Sequence, residues 1–172
     1  MSIFTKRGDE GSTDLIGKRV KKSDLKIHIV GELDELSVRM ADFLVACKDE
    51  TLKEEVRIID GVLYKIAAIV TDVNKKFNLE VSDEDILFLE ERINEMEEKT
   101  PVLREFITYE GELSAIKAFG LKTQTRALER LLVEDKLPEK VYKYINRLSD
   151  YYFVLGRYIN FKANFEERKR KL

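Results

Sequence analysis

Leu52, Val56, Ile59, Leu63, Ile66, Val70 and Val73 recur at alternating steps of four and three residues. That spacing is the apolar seam of a helix packed in a bundle. Ahead of it, Leu33, Leu36, Met40, Phe43 and Cys47 keep the helical period and predict a first helix beginning after Asp24. Ser82 and Asp85 form a capping-box pattern, and Ile86, Leu89, Ile93 and Met96 carry a third helix to Lys99, where Thr100-Pro101 stops it. A fourth helix is predicted from about Leu113 to Glu134. Pro138, at an entry position, opens a fifth from about Glu139 to Glu167. Alternation with a period of two is essentially missing, so no strand is predicted. The expected fold is all-α: a five-helix antiparallel bundle forming one domain over residues 1–172, with a polar N-terminal stretch over about residues 1–23.

Composition narrows the function. The charged fraction of 37% exceeds the roughly 25% of average proteins. With a single glutamine, Gln124, and two prolines, the profile leans toward a thermophile. Thirty-one basic and 33 acidic residues give a net charge of −2, so there is no global basic field and nucleic acid is not an expected partner. The run Arg168-Lys169-Arg170-Lys171 reads as a solvated helix end whose cations suit the negative end of the dipole. Cys47 stands alone, which excludes a disulfide framework or a cysteine metal cluster and is read as a buried inert thiol. The single histidine, His28, excludes a di-iron bundle, which needs two Glu-x-x-His motifs. On its mostly apolar segment it is read as structural. With no secretory segment and no membrane-length apolar run, a soluble cytoplasmic protein is expected, with no membrane partner.

Four places do not fit a purely structural bundle. The first is Thr5-Lys6-Arg7-Gly8-Asp9-Glu10-Gly11-Ser12-Thr13. Its glycines let backbone N–H groups converge, and Lys6 and the hydroxyls add donors, a combination that suits phosphate. A frayed polar terminus is the other reading. The second is Gly31-Glu32-Leu33-Asp34-Glu35-Leu36, where acidic residues near a helix start also favour the dipole. The third is Lys122, Arg126 and Arg130, three cations on one helix face with Glu129 beside them. They form either a solvated stripe or a face turned to an anion, and the weak apolar face expected of this helix favours the anion. The fourth is the helix Tyr144-Ile145-Asn146-Arg147-Leu148-Ser149-Asp150-Tyr151-Tyr152-Phe153-Val154-Leu155-Gly156-Arg157. Asn146 and Asp150 stand one turn apart in it, and burial would require partners for them.

Tyr144-x-Asn146-Arg147-Leu148-Ser149-Asp150 resembles the C-terminal signature of PduO-type ATP:cob(I)alamin adenosyltransferases. Thr5-Lys6-x-Gly8-Asp9-x-Gly11-x-Thr13 resembles that family's ATP loop, and Gly31-x-x-Asp34-Glu35-Leu36 its Gly-x-x-Asp-Glu-Leu motif. Phe106-Ile107 and Arg126-x-x-Glu129-Arg130 follow at the family's spacing, so the resemblance covers nearly the whole chain.

The resemblance implies a homotrimer with active sites between subunits, ATP and cobalamin as substrates, and Mg²⁺ with the nucleotide. Thr5, Lys6, Arg7, Gly8, Thr13 and Asp14 would wrap the triphosphate, with help from Lys22. Arg126, Glu129, Arg130 and Asn146 would complete the ATP site, and Arg147 and Asp150 would hold the helix face behind it. Asp34 would pair with Lys122 across the subunit interface, and Phe106 would lie against the lower face of the corrin. No metal ligand is expected from the protein's side chains. Co(I) would attack C5′ of the ribose and triphosphate would leave. A reductase and an adenosylcobalamin-dependent acceptor enzyme are the implied protein partners.

Three positions depart from the family pattern. Lys122 stands where arginine is usual, Ala127 replaces the second of two paired arginines, and Thr108-Tyr109-Glu110-Gly111 replaces Leu-Pro-Gly-Gly. A non-catalytic corrinoid carrier would keep the corrin pocket but would not need the N-terminal loop. A partner-binding helical bundle would leave Asn146, Asp150 and that loop unexplained.

Overall fold

The computed structural model describes residues 6–170. A hairpin of β1 (Ser12–Leu15) and β2 (Lys18–Lys21) leads into α1 (Leu25–Ala46), α2 (Glu50–Thr71), α3 (Asp83–Lys99), α4 (Leu113–Leu132) and α5 (Glu139–Lys162). The helices form the expected antiparallel bundle. α5 lies against α4 and α3, while α1 packs on α4 on one side and α2 on the other.

Local chemistry sets the helix starts. The Asp24 carboxylate accepts from the Lys26 amide at 3.0 Å, and Asp49 accepts from the Thr51 amide at 3.0 Å. Ser82 and Asp85 complete the predicted capping box, at 3.1 and 2.8 Å, and Lys65 of α2 adds an ion pair to Asp85 at 2.8 Å. Burial acts to raise the Asp85 carboxyl, but the hydrogen bonds from Lys65 and Ser82 outweigh it and hold it below its ordinary range.

Several expectations are corrected. A two-stranded antiparallel sheet is present, with Thr13 opposite Val20 and Asp14 opposite Arg19. Its four-residue strands are too short to show a period in the sequence. α2 ends at Thr71, before Val73, where the Asp72 side chain accepts from the Lys76 and Phe77 amides that follow it and so closes a turn in place of the helix. α5 stops at Lys162, five residues short of Glu167, where Asn164 takes a left-handed φ of 55°. His28 is exposed on α1 and takes no part in the core.

α4 buries a full face, contrary to the weak one expected, made of Ala115, Ala118, Phe119, Leu121, Thr125, Leu128 and Leu132. Its small residues let α1 and α5 approach closely, which an apolar count understates. Phe119 lies where a side chain on residue 156 would project: a Cβ on Gly156 would come within 2.6 Å of the Phe119 ring. Cys47 is buried, and burial pushes its thiol up, as an inert core thiol requires.

Gly156→Ala should therefore lower stability by about 1–3 kcal/mol through overpacking. A drop of several degrees in melting temperature is the expected outcome, and a wild-type value would show that Phe119 moves aside freely.

Candidate functional site

The candidate residues fall into three groups. The first is the segment before and within the hairpin. Thr5 lies outside the described residues. Lys6 is left-handed, at φ 58°. The Asp9 amide donates to the Lys6 carbonyl at 3.3 Å, the Gly11 amide to the Gly8 carbonyl at 3.2 Å, and the Lys22 amide to the Gly11 carbonyl at 2.8 Å. Gly8 passes beneath Lys22, whose Nζ would be 3.2 Å from a Cβ there. Asp14 takes an ion pair at 3.0 Å from each of Arg7 and Arg19. Arg7, Gly8, Asp14 and Lys22 thus lie together beside the hairpin, with Lys6 next in the chain, while Thr13, opposite Val20, projects from the other face of the ribbon. Arg19 joins them, and sequence reasoning missed it because only the hairpin register puts it opposite Asp14.

The second group is a polar seam between α4 and α5. Phe119 and Phe153 meet at 6.1 Å between ring centroids, which fixes the antiparallel register of the two helices. Seven residues before Phe153 on α5 stands Asn146, on the same face two turns away. Seven residues after Phe119 on α4 stands Arg126, likewise two turns along its own helix. The register therefore sets Arg126 level with Asn146. Arg126 pairs with Glu129 at 2.7 Å, and Arg130 donates to the Arg126 carbonyl at 3.0 Å.

Asn146 and Asp150 are exposed, which corrects the expectation that the apolar helix buries them. Their apolar neighbours face the other side of α5. Asn146 makes no side-chain hydrogen bond among the described residues. Asp150 pairs with Arg147, which also reaches Glu90 of α3, both at 3.3 Å. Arg147 thus turns toward α3 and away from the α4 seam.

The third group is the connector from α3 to α4. Phe106 is 82% exposed, whereas Ile107 is buried and packs the connector onto the bundle. Phe106 stands at the rim of an open hollow of about 880 Å³ lined also by Arg104, Glu105, Tyr109, Lys169 and Arg170. The basic run at the C-terminus is not a solvated helix end. Beyond the turn at Asn164 the chain folds back, and Lys169 lies opposite Ile107 in an antiparallel bridge. The Thr108 amide donates to the Arg168 carbonyl at 2.9 Å and the Arg170 amide to the Phe106 carbonyl at 2.7 Å. Arg168 pairs with Glu110 at 2.6 Å and Lys169 with Glu105 at 2.8 Å. Arg157, buried in α5, secures this return through Glu167 at 2.9 Å and the Pro101 carbonyl at 2.8 Å.

The three groups do not all meet within one chain. The hairpin is bonded to the end of α2, where the Ile16 amide donates to the Thr71 carbonyl at 3.2 Å. Phe106 is beyond the opposite end, where α4 begins, and α4's 20 residues span about 30 Å. Asp34 lies exposed on the α2 side of α1, in a hollow with Ser37, Asp60 and Tyr64, so it does not reach Lys122 of its own chain. No group of three or more His, Cys, Asp or Glu suited to a metal ion occurs among the described residues.

Arg157→Ala should cost about 3–5 kcal/mol, because it leaves Glu167 without its buried partner. Faster hydrogen exchange at the Thr108 and Arg170 amides should accompany that loss. Unchanged exchange there would mean that the tail holds the connector without Arg157.

Residues 3–159 match the family model described as cobalamin adenosyltransferase. The chain is 31% identical over 171 residues to a corrinoid adenosyltransferase of Bacillus subtilis, covering 95% of this chain and 89% of that protein. It is 33% identical over 179 residues to the corrinoid adenosyltransferase MMAB of Homo sapiens, covering 96% and 72%. Its fold matches that of a variant PduO-type ATP:corrinoid adenosyltransferase from Lactobacillus reuteri, solved in complex with cobalamin and ATP, with a TM-score of 0.94 and 26% identity over 99% of this chain and 97% of that one.

Proposed function

Because the chain belongs to the cobalamin adenosyltransferase family, we infer that it is an enzyme that moves the 5′-deoxyadenosyl group of ATP onto the cobalt of cob(I)alamin, giving adenosylcobalamin and triphosphate. The observation that carries this reading to particular residues is Phe106, a large aromatic ring held out over an open hollow by a connector that packs through its neighbour Ile107. Such exposure has no folding benefit. It suits a ring that lies against the lower face of a corrin and keeps a ligand off the cobalt.

The reaction explains the residue types. The Co(I) electron pair attacks C5′, the cobalt–carbon bond forms, and the C5′–O bond breaks with its electrons leaving on triphosphate. No proton moves, so no general base is needed, and the exposed His28 takes no part. The protein's task is to align the nucleotide and neutralise a highly charged leaving group. Thr5, Lys6, Arg7, Gly8, Thr13, Asp14 and Lys22 wrap the triphosphate, with Asp14 orienting Arg7. Arg126, Arg130 and Asn146 line the nucleotide along the seam, Glu129 orients Arg126, and Arg147 and Asp150 brace α5. Mg²⁺ would come as the companion of ATP, held by the phosphates and water, as this ion keeps several waters and binds substrate phosphates.

The site lies between subunits of a homotrimer. The distance from hairpin to Phe106 within one chain supports this, as does the position of Asp34, turned away from its own Lys122. Val38 and Val45, 67% and 89% exposed, continue the face of α1 that carries Asp34, an apolar stripe suited to burial against another copy. Asp34 of one copy then faces Lys122 of the next. We read the enzyme as cytoplasmic; no helix among the described residues is long and apolar enough to cross a membrane.

Anaerobic incubation with ATP, Mg²⁺ and chemically reduced cobalamin should give the absorption spectrum of a cobalt–carbon bond, and Arg126→Ala should weaken ATP binding with little change in melting temperature. An unchanged ATP affinity in that variant would remove α4 from the site. Phe106→Ala should leave stability nearly intact, since the ring is exposed. It should sharply lower adenosylation started from Co(II) with a reductant, and lower it much less from preformed Co(I). Equal losses in both assays would contradict the role given to the ring.

Sedimentation should give a trimer. Lys122→Glu should lower activity and the added Asp34→Lys should recover part of it, measuring the pair as a double-mutant cycle. A fully active monomer would overturn the interfacial site.

A further inference from the structure

We infer that Tyr109 is a positioning residue for Lys122, holding its ammonium where the Phe106 connector meets the α4–α5 seam; this rests on the reading of that seam as part of the nucleotide site. Lysine carries its charge on a flexible stem with no directional preference of its own, unlike the planar fork of arginine. Among the described residues Lys122 has no carboxylate partner. Its Nζ donates instead to the Tyr109 hydroxyl at 3.0 Å, and it stands 5.5 Å from the centre of the Tyr109 ring and 5.8 Å from that of Phe153. The Tyr109 hydroxyl and the Phe153 ring together fix, within one chain, the direction of the charge that Asp34 of the next copy then meets.

Tyr109 can do this because it is itself fixed. Its ring stacks on Phe119 at 4.9 Å with 28° between planes, and Arg170 lies 5.8 Å from the ring centre. The loop that carries it is clamped by Asn160 of α5, whose side chain donates to the Glu110 carbonyl at 2.8 Å and accepts from the Glu112 amide at 3.0 Å. Gly111 makes that clamp possible. It sits at φ 118°, and a Cβ there would fall 2.0 Å from the Asn160 side-chain Oδ1. Lys122 and the Thr108–Gly111 loop, two places where the chain departs from the family pattern, thus meet at one hydrogen bond. The phenol supplies to lysine the orientation that a guanidinium would supply for itself.

The test is a double-mutant cycle on the full-length protein, with kcat/KM for ATP, ATP affinity by calorimetry and melting temperature all measured. Tyr109→Phe keeps the stacked ring and removes only the hydroxyl. It should lower kcat/KM about tenfold, as the loss of a hydrogen bond to a charged group does, with the melting temperature within about a degree of the parent. In a Lys122→Met background the same change should cost less than twofold. In a Lys122→Arg background it should again cost little, because arginine orients itself. Should Lys122→Met turn over too slowly to measure, ATP affinity carries the cycle. Equal losses from Tyr109→Phe in all three backgrounds, or a loss matched by a fall in melting temperature, would overturn the positioning role while leaving the seam reading intact. Parental activity and ATP affinity in Lys122→Met would overturn the seam reading itself, and the positioning role with it.

Discussion

The ring of Phe119 occupies the space a side chain at residue 156 would need, and this one close approach organises the functional half of the molecule. It brings α4 against α5 with Phe119 beside Phe153, and that contact sets the register which lines up Arg126 with Asn146. Phe119 also stacks on Tyr109, and Tyr109 meets Lys122. A van der Waals constraint at a glycine is thereby passed outward, ring by ring, to a charge on the surface. Packing can carry position this far because interiors are close-packed and do not deform continuously.

The charges follow from the chemistry the fold serves. A nucleophilic cobalt needs no activation by the protein, so the side chains gathered here are cations, amides and hydroxyls, and the carboxylates among them hold cations in place. Asp14 takes two arginines and Glu129 takes one. The uncommitted surface is apolar, at Phe106 and along Val38 and Val45. Such exposed apolar residues are what the proposed corrin contact and the proposed trimer would cover.

Most of the fold was legible in the sequence. A helix that buries one face must repeat its apolar residues every three or four positions, and Leu52 to Val70 do so whatever surrounds them. Capping is equally local, since Ser82 and Asp85 satisfy each other's amides within one turn. The family motifs were legible for a related reason, since each is a set of residue types at short spacing, and the family model matches residues 3–159. Features that depend on contacts between distant segments were not legible. The hairpin register that adds Arg19, the return of Arg168–Arg170 along Phe106–Thr108, and the face of α5 on which Asn146 and Asp150 lie all belong to this class.

The sequence by itself determined five amphipathic helices, the Ser82–Asp85 capping box and the residue types of the motifs, since each arises within a few residues along the chain. The pattern of apolar residues could not say which of Phe106 and Ile107 is packed, because the two are adjacent and both apolar. The family resemblance pointed to Phe106 as the presented one, and the tertiary structure shows Ile107 buried and Phe106 exposed. Tertiary structure alone decided that Tyr109, which the sequence marks only as part of a loop departing from the family pattern, stands at Lys122. That pairing needs Gly111, Asn160, Phe119 and Gly156 to be in place together. Such long-range steric agreement leaves no period or motif along the chain.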